Sequence, residues 1–255
     1  MRKCWAQSLG NCSDSLSREH TVTAGLFPAD VVNVQGLSWC KIEPKSVGLA
    51  SVTRKILCGT HNNALSPVDS AAIAAFDVFR ECVRLTNARE LVKETIWRVV
   101  HLPIDGSGLE RWFLKTLINL TTGGIQKLGP KSLVPGEPSA DLVEIAFGLR
   151  QFAPNAGLYS SAEKGEGVTS EDRVSIIPFF DANSEYVLGG TFYFRGWRFM
   201  LHLSEEGFTG NVRFAHSNGN PVSSYSRPLR HLRQMRFTIS PLKKRVSHVV
   251  DFKWK

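Results

Sequence analysis

The sequence predicts an α+β protein in which a zinc-stabilised N-terminal module precedes helices and a β-rich, basic C-terminal domain. Three observations support this prediction. Cysteine and histidine residues cluster near the N-terminus, two segments with helical periodicity follow, and alternating apolar residues dominate the last third of the chain. We expect the module at 1–85, a helical extension at 86–128 and the β-rich domain at 139–255. The intervening residues 129–139 are rich in proline and glycine, as in a linker.

The composition is that of a chain with a substantial hydrophobic core. The chain has 255 residues, of which 42% are hydrophobic, and this excludes global disorder. No apolar run approaches the roughly 20 residues that span a bilayer, and residues 1–5 lack the apolar stretch of a signal peptide. The five cysteines, an odd number, are not typical of a disulfide framework. We therefore expect a cytoplasmic protein without a membrane partner, in which clustered cysteines bind metal.

The positive charge is concentrated towards the C-terminus. The formal net charge is +8. Residues 193–255 contain 12 Lys and Arg against 3 Asp and Glu, a net of +9, whereas residues 1–192 contain 19 against 20, a net of −1. Such a segment suits a nucleic acid backbone, although a solubilising surface explains the charge equally well. The basic residues expected to contact nucleic acid are Arg227, Arg230, Arg233, Arg236, Lys243, Lys244 and Arg245.

The element order predicted over residues 17–80 is strand, long loop, strand and helix. Residues 22–26 and 31–34 are β-prone on either side of a turn, and residues 53–57 form another β-prone run that ends at Cys58. A helix should begin with Ser66 as its N-cap and Asp69 as the acid of a capping box. The residues expected on its buried face are Ala72, Phe76, Phe79 and Val83. Later elements are predicted as helices at 109–120 and 139–150, a strand at 173–180, a hairpin at 186–203 and strands within 227–238 and 246–252.

Four residues near the N-terminus can bind one metal ion. Cys58 and His61 have the two-residue gap that lets neighbouring ligands bind a tetrahedral zinc ion. Cys4 and Cys12 are seven residues apart, which is wider than a standard knuckle. The four residues could also be unrelated, with Cys58 at a buried strand end. We favour a structural zinc held by all four.

Two further cysteines fit no ligand spacing. Cys82 follows the apolar face of the predicted helix, and we expect it in the core. Cys40 could serve as a spare ligand, and we favour packing beside Trp39.

A carboxylate directly precedes a histidine at Glu19-His20. A histidine on a strand is usually a satisfied polar residue, but a neutral imidazole can also accept a proton from water at neutral pH. The Glu19 carboxylate and the Asn62 side-chain oxygen are hard ligands of the kind that Mg²⁺ prefers. A metal held there could polarise a phosphate and stabilise the leaving oxygen.

Together these residues resemble the signature of the HNH endonuclease family. Cys4 and Cys12 stand for the first cysteine pair, and residues 17–20 (SREH) contain the acid followed by histidine. Residues 57–63 (LCGTHNN) follow a long loop and contain the second ligand pair with an asparagine after it. The resemblance covers about residues 1–80 and implies the family's ββα-metal fold.

The resemblance also implies roles for individual residues. His20 would be the general base that activates water, Asn62 would ligate a catalytic Mg²⁺ or Mn²⁺, and Glu19 would be the second ligand. Asn63 is the alternative to Asn62, and the sequence does not choose between them. The implied activity is phosphodiester hydrolysis in DNA, in a role such as genome defence, by an enzyme that acts as a homodimer or with a partner protein. A non-catalytic, zinc-stabilised nucleic-acid-binding protein and a protein-interaction module remain open as other classes.

Overall fold

The computed structural model contains both helices and sheets, which confirms the α+β class. It describes residues 3–35, 40–92, 97–160, 174–181, 183, 185–194, 197–204, 213–214, 227–228, 233–238 and 245–255. Predictions for Trp39, Arg230, Lys243 and Lys244 lie outside these residues. Within the described part of the chain, no helix has both the length and the apolar character needed to cross a membrane.

In the described part of the chain the helices lie between residues 59 and 146, and strands predominate before and after them. The helices are α1 (Gly59–Ala64), α2 (Ser66–Glu90), α3 (Gly106–Thr121) and α4 (Ala140–Ala146). The strands are β1 (Leu16–His20), β2 (Val31–Val34), β3 (Lys45–Gly48), β4 (Thr53–Cys58), β5 (Val100–Asp105), β6 (Lys127–Leu128), β7 (Gly157–Ser160), β8 (Val174–Phe180), β9 (Tyr186–Phe194), β10 (Trp197–His202), β11 (Arg213–Phe214), β12 (Arg227–Pro228), β13 (Gln234–Thr238) and β14 (Val246–Lys253). Short 3₁₀ turns lie at Gln7–Leu9, Ala24–Leu26 and Leu49–Ser51.

The strands form four sheets within the described residues. The largest has the order β11-β8-β9-β10-β7-β12, with the short β6 parallel to β9. A second sheet has the order β13-β14-β5, in which β14 and β5 are parallel. Two antiparallel pairs, β1-β4 and β2-β3, lie near the N-terminus. The predicted hairpin at 186–203 is confirmed as β9-β10.

The first strand is not where the sequence pattern indicated. Residues 16–20 form β1, whereas the predicted strand at 22–26 contains the 3₁₀ turn Ala24–Leu26. Thr23 explains the difference: its hydroxyl donates to Asp69 Oδ1 at 2.5 Å and accepts from Trp112 Nε1 at 2.8 Å. These bonds draw the segment onto α2 and α3 and away from strand pairing.

Helix α2 has the predicted buried face but a different beginning. The helix starts at Ser66, and the residue before it, Leu65, provides no side-chain cap. Asp69 does not complete a capping box, because its carboxylate bonds to Thr23 and to Lys115. The residues of the buried face are Ala72, Phe76, Phe79 and Val83, each no more than 6% exposed.

The core lies between the helices and the large sheet. Phe76 of α2 contacts Trp112 of α3 with ring centroids 5.2 Å apart, and its centroid lies 3.8 Å from that of Phe194 on β9. Phe79 packs on Phe199 of β10 at 5.6 Å. The buried cluster also includes Leu57 of β4. The strand pair β1-β4 is therefore fixed to the same core as the helices and the large sheet.

Candidate metal centre and adjoining strand pair

The four predicted zinc ligands lie together. The ligand atoms of Cys4, Cys12, Cys58 and His61 are all within 4.8 Å of one another. His61 Nδ1 is 3.4 Å from the Cys4 sulfur, 3.6 Å from the Cys12 sulfur and 3.2 Å from the Cys58 sulfur. Zinc bonds of about 2.3 Å to sulfur and about 2.0 Å to nitrogen, at tetrahedral angles, give S···N separations of about 3.5 Å. The group is thus compatible with a structural zinc ligated through Nδ1.

The wide gap between Cys4 and Cys12 is closed by a compact loop. The 3₁₀ turn Gln7–Leu9 is followed by Gly10 at φ 74° and Asn11 at φ 50°, two left-handed residues that reverse the chain. The reversal returns Cys12 to the side of Cys4. The amide of Trp5 donates to the Ile56 carbonyl at 3.0 Å and so fixes the loop beside β4.

The second ligand pair comes from the junction of β4 and α1. Cys58 is extended, with φ −76° and ψ 161°, and α1 begins at the next residue. His61 therefore lies on the first turn of that helix, and the residue is 5% exposed. The ring packs edge-on against Phe147, with centroids 5.5 Å apart and an interplanar angle of 82°. The phenylalanine ring shields one side of the cluster from water.

The thiols of the cluster differ in acidity. Burial raises the pKa of Cys4 to about 12. Burial also acts to raise the pKa of Cys58, but hydrogen bonds from backbone groups at His61 and Ser13 outweigh it and lower the pKa to about 6. Cys58 is thus the most readily ionised of the three thiols. Because zinc binds thiolate, binding must release protons from Cys4 and Cys12.

Glu19 lies in the core beside the cation of Lys115, a residue that was not predicted from the sequence. Its carboxylate is 2.6 Å from Lys115 Nζ and accepts a bond of 3.2 Å from Asn119 Nδ2. Lys115 also contacts both carboxylate oxygens of Asp69 at 2.7 Å. Glu19 and Lys115 are 5% and 2% exposed. Burial raises the pKa of Glu19, and the opposite charge of Lys115 acts against that effect.

Lys115 and Asn119 could have been identified from their spacing. They lie four residues apart in α3, on a helix whose other residues are largely apolar. Residues at this spacing share one helical face, and a lysine on such a face requires a buried partner. The signal shows that a partner is needed but does not say which carboxylate provides it.

His20 and the metal cluster lie at opposite ends of the strand pair. His20 is opposite Thr53, whereas Leu16 is opposite Cys58. The four strand steps from Leu16 to His20 correspond to about 13 Å. The His20 side chain is half-buried, and its carbonyl accepts a bond of 3.3 Å from Asn119 Nδ2.

The other predicted catalytic residues lie on α1. Asn62 is half-buried and Asn63 is exposed. Helix α1 contacts both β1 and β4. Glu19 is on β1 and bonds into the core, so its described contacts are with Lys115 and Asn119 of α3 rather than with the two asparagines.

The two remaining cysteines are buried, and three of the C-terminal arginines are exposed. Cys82 is fully buried, and burial raises its pKa to about 12, which confirms its prediction as a core residue. Cys40 is 3% exposed and lies outside the four-ligand cluster. Three predicted nucleic-acid contacts, Arg233, Arg236 and Arg245, are exposed. Arg227 begins β12, and its side chain is outside the described set.

Comparisons with known proteins identified no similar protein. No protein-family model matches the chain, and no significant match was found among curated proteins or among solved structures. The interpretation of the site therefore depends on its own residues.

We expect the purified protein to contain about one zinc per chain, since four protein ligands complete a tetrahedral site. Cys58→Ala should abolish that stoichiometry and lower the thermal midpoint of unfolding, because a zinc held by the cluster would join the N-terminal loop to α1. Cys82→Ala is the matched control, because Cys82 is an equally buried thiol outside the cluster. Metal analysis of both variants measures the effect. Equal zinc contents in the two variants would contradict the assignment.

Lys115→Met should destabilise the fold by about 3–5 kcal/mol, because it leaves two carboxylates without their buried cation. Arg84→Met, which removes an exposed partner of Glu81, should have a much smaller effect. Denaturant unfolding gives both values. Adding Glu19→Gln to Lys115→Met should recover part of the loss, since one of the two uncompensated charges is removed. A double variant no more stable than Lys115→Met would show that Glu19 does not depend on Lys115.

Proposed function

We propose that this chain is a metal-dependent endonuclease of the HNH type that hydrolyses phosphodiester bonds in DNA. The observation that supports this proposal best is the Cys₃His cluster at the junction of β4 and α1. It links a strand pair to the helical segment that follows, and His20 lies on that strand pair. Asn62 immediately follows the last ligand of the cluster.

The zinc is proposed to be structural. Four protein ligands leave no open coordination position for water or substrate, unlike the three-ligand sites of catalytic zinc. Bond-making must then take place away from the cluster. His20, at the other end of the strand pair, is a side chain with suitable chemistry.

His20 would accept the proton of the attacking water. Its imidazole is half-buried, so water can reach it, while strand pairing and the bond from Asn119 hold its backbone in place. A neutral imidazole is suited to this step near neutral pH. A Mg²⁺ or Mn²⁺ ion would supply Lewis acidity at the phosphate and at the leaving oxygen.

The metal ligands in this proposal are fewer than the family resemblance implies. Asn62 offers a side-chain oxygen, with Asn63 as the alternative. Asn62 adjoins the cluster end of the strand pair, so a hydrated Mg²⁺ held there would have to reach a phosphate bound across the pair towards His20. Glu19 is assigned a positioning role, because its carboxylate is neutralised by Lys115 inside the core. That contact orients the residue directly before His20.

The buried contact between Glu19 and Lys115 also favours a second function, nucleic-acid binding without catalysis. With that carboxylate held in the core, the chain could be a zinc-stabilised nucleic-acid-binding protein without catalysis. The exposed arginines Arg233, Arg236 and Arg245 fit this function equally well. Nicking of plasmid DNA with and without Mg²⁺ separates the two functions. The defence role, the cytoplasmic location and the homodimer remain predictions.

His20→Ala should lower the single-turnover cleavage rate by about 10²- to 10⁴-fold, the usual contribution of a general base. Zinc content and thermal stability should not change, because the half-buried imidazole is not part of the cluster. His101→Ala is the matched control, since His101 is an exposed histidine on β5 that contacts Asp251. A variant that cleaves DNA at the wild-type rate would show that His20 is not the base.

Asn62→Ala should also slow cleavage, but for a different reason. The catalytic metal would lose an oxygen ligand, and a higher Mg²⁺ or Mn²⁺ concentration should restore part of the rate by mass action. The same titration should not restore His20→Ala, whose defect is a missing proton acceptor. Asn63→Ala is the matched control. If Asn63→Ala showed the metal-dependent defect and Asn62→Ala did not, the ligand assignment would move to Asn63.

A further inference from the structure

A cationic concavity adjoins His20 on the strand pair β1-β4. It is open to solvent, has a volume of about 450 Å³ and is lined by Arg18, Ser51, Thr53, Arg54 and Lys55. The lining contains three cationic and two hydroxyl side chains and no carboxylate. Neither the zinc cluster nor the C-terminal basic segment includes any of these residues.

Strand geometry places Arg18 and His20 on the same face. Burial along β1 alternates at this end: Arg18 is exposed, Glu19 is buried and His20 is half-exposed. Residues two apart on a strand project from one face, about 6.7 Å from each other. Because Thr53 is opposite His20, the imidazole lies next to the wall of the concavity.

A bulge in β4 brings a second cation to the same place. Ser17 is opposite Leu57 and Glu19 is opposite Arg54, so two residues of β4 face one residue of β1. Those two residues are Lys55 and Ile56, and the one that they face is Arg18. Ile56 is buried, whereas Lys55 is exposed. The bulge therefore sends Lys55 outward beside Arg18.

Arg54 gives the concavity a fixed wall. Its guanidinium donates to the Asn119 carbonyl at 2.7 Å and to the Thr122 carbonyl at 2.6 Å. Both acceptors lie at the C-terminal end of α3, where the helix dipole favours a cation. Arg18 and Lys55, by contrast, are exposed and can reach a ligand in solvent.

We propose that Arg18 and Lys55 form a phosphate seat that binds the DNA backbone beside His20; the identity of the polymer as DNA rests on the proposed function. Two neighbouring cations on an open surface are stabilised by an anion. Arginine can donate two hydrogen bonds to one phosphate, and lysine adds a compact point charge. A phosphate bound by Arg18 lies one same-face strand step from His20, so the seat aligns a nearby phosphodiester with the base.

The test is DNA binding by a variant that lacks both cations. Arg18→Ala/Lys55→Ala is compared with Arg84→Ala/Arg150→Ala, which removes one exposed arginine from α2 and one from the turn after α4 and changes the net charge equally. Both pairs are made in the His20→Ala background, without divalent metal or chelator, so that cleavage is blocked and zinc is retained. Fluorescence anisotropy with a short labelled DNA duplex gives the dissociation constant at several salt concentrations.

Loss of two phosphate contacts should reduce the slope of log affinity against log salt by about 1.8, since each contact contributes about 0.9. The control pair should keep the slope of its parent. If both pairs gave the same slope, the seat would be refuted.

Cleavage assays with His20 retained separate this inference from the proposed function. They compare the wild-type chain with the two double variants. Suppose that the chain cleaves DNA with Mg²⁺, and that Arg18→Ala/Lys55→Ala binds and cleaves DNA like the control pair. The phosphate seat would then be refuted, and the nuclease proposal would stand. If the slope falls as expected but no metal supports cleavage, the seat stands as a nucleic-acid-binding site and the nuclease proposal fails.

Discussion

The N-terminal strand pair depends on one buried cation. Lys115 contacts Glu19 of β1 and Asp69 of α2, and it joins both to its own helix, α3. Taking such charges out of water costs several kcal/mol per ion, so they persist only with close partners and further hydrogen bonds. Asn119 and Thr23 supply those bonds, to Glu19 and Asp69 respectively. These directional bonds define a single position for β1 on the helices. Apolar contacts alone would restrict that position less.

The same helix end holds both strands of the pair. Asn119 donates to Glu19 and to the His20 carbonyl, accepts from the indole of Trp5, and offers its own carbonyl to Arg54. One residue of α3 thus contacts the loop that contains Cys4, the strand that ends at His20 and the strand that lines the cationic concavity. The metal cluster lies apart from the candidate base and the proposed phosphate seat, but all three share this support.

Local patterns predicted part of this arrangement from the sequence. The two-residue gap between Cys58 and His61 predicted two members of the Cys₃His cluster, and 3.6-residue periodicity predicted the buried face of α2. The strand expected at 22–26 was wrong, because Thr23 bonds across the fold to Asp69 and Trp112. The core position of Glu19 was missed for a similar reason, since its partner Lys115 is ninety-six residues away in sequence. Contacts at such separations leave no periodic trace, and local propensity cannot anticipate them.

The strand pair is therefore constrained from its two ends by different chemistry. At one end, Cys58 pairs with Leu16 and belongs to the Cys₃His cluster; at the other, bonds from Asn119 of α3 hold Glu19 and His20. Between them the β4 bulge sets which residues point outward, and a one-residue slip would exchange buried Ile56 for exposed Lys55. The phosphate seat requires Lys55 to point outward. The contacts at the two ends of the strand pair therefore matter because they maintain the β1-β4 register. Under the proposed function, a zinc bound at the Leu16–Cys58 end of the pair would support His20, about 13 Å along the strand, through register alone and without taking part in bond-making.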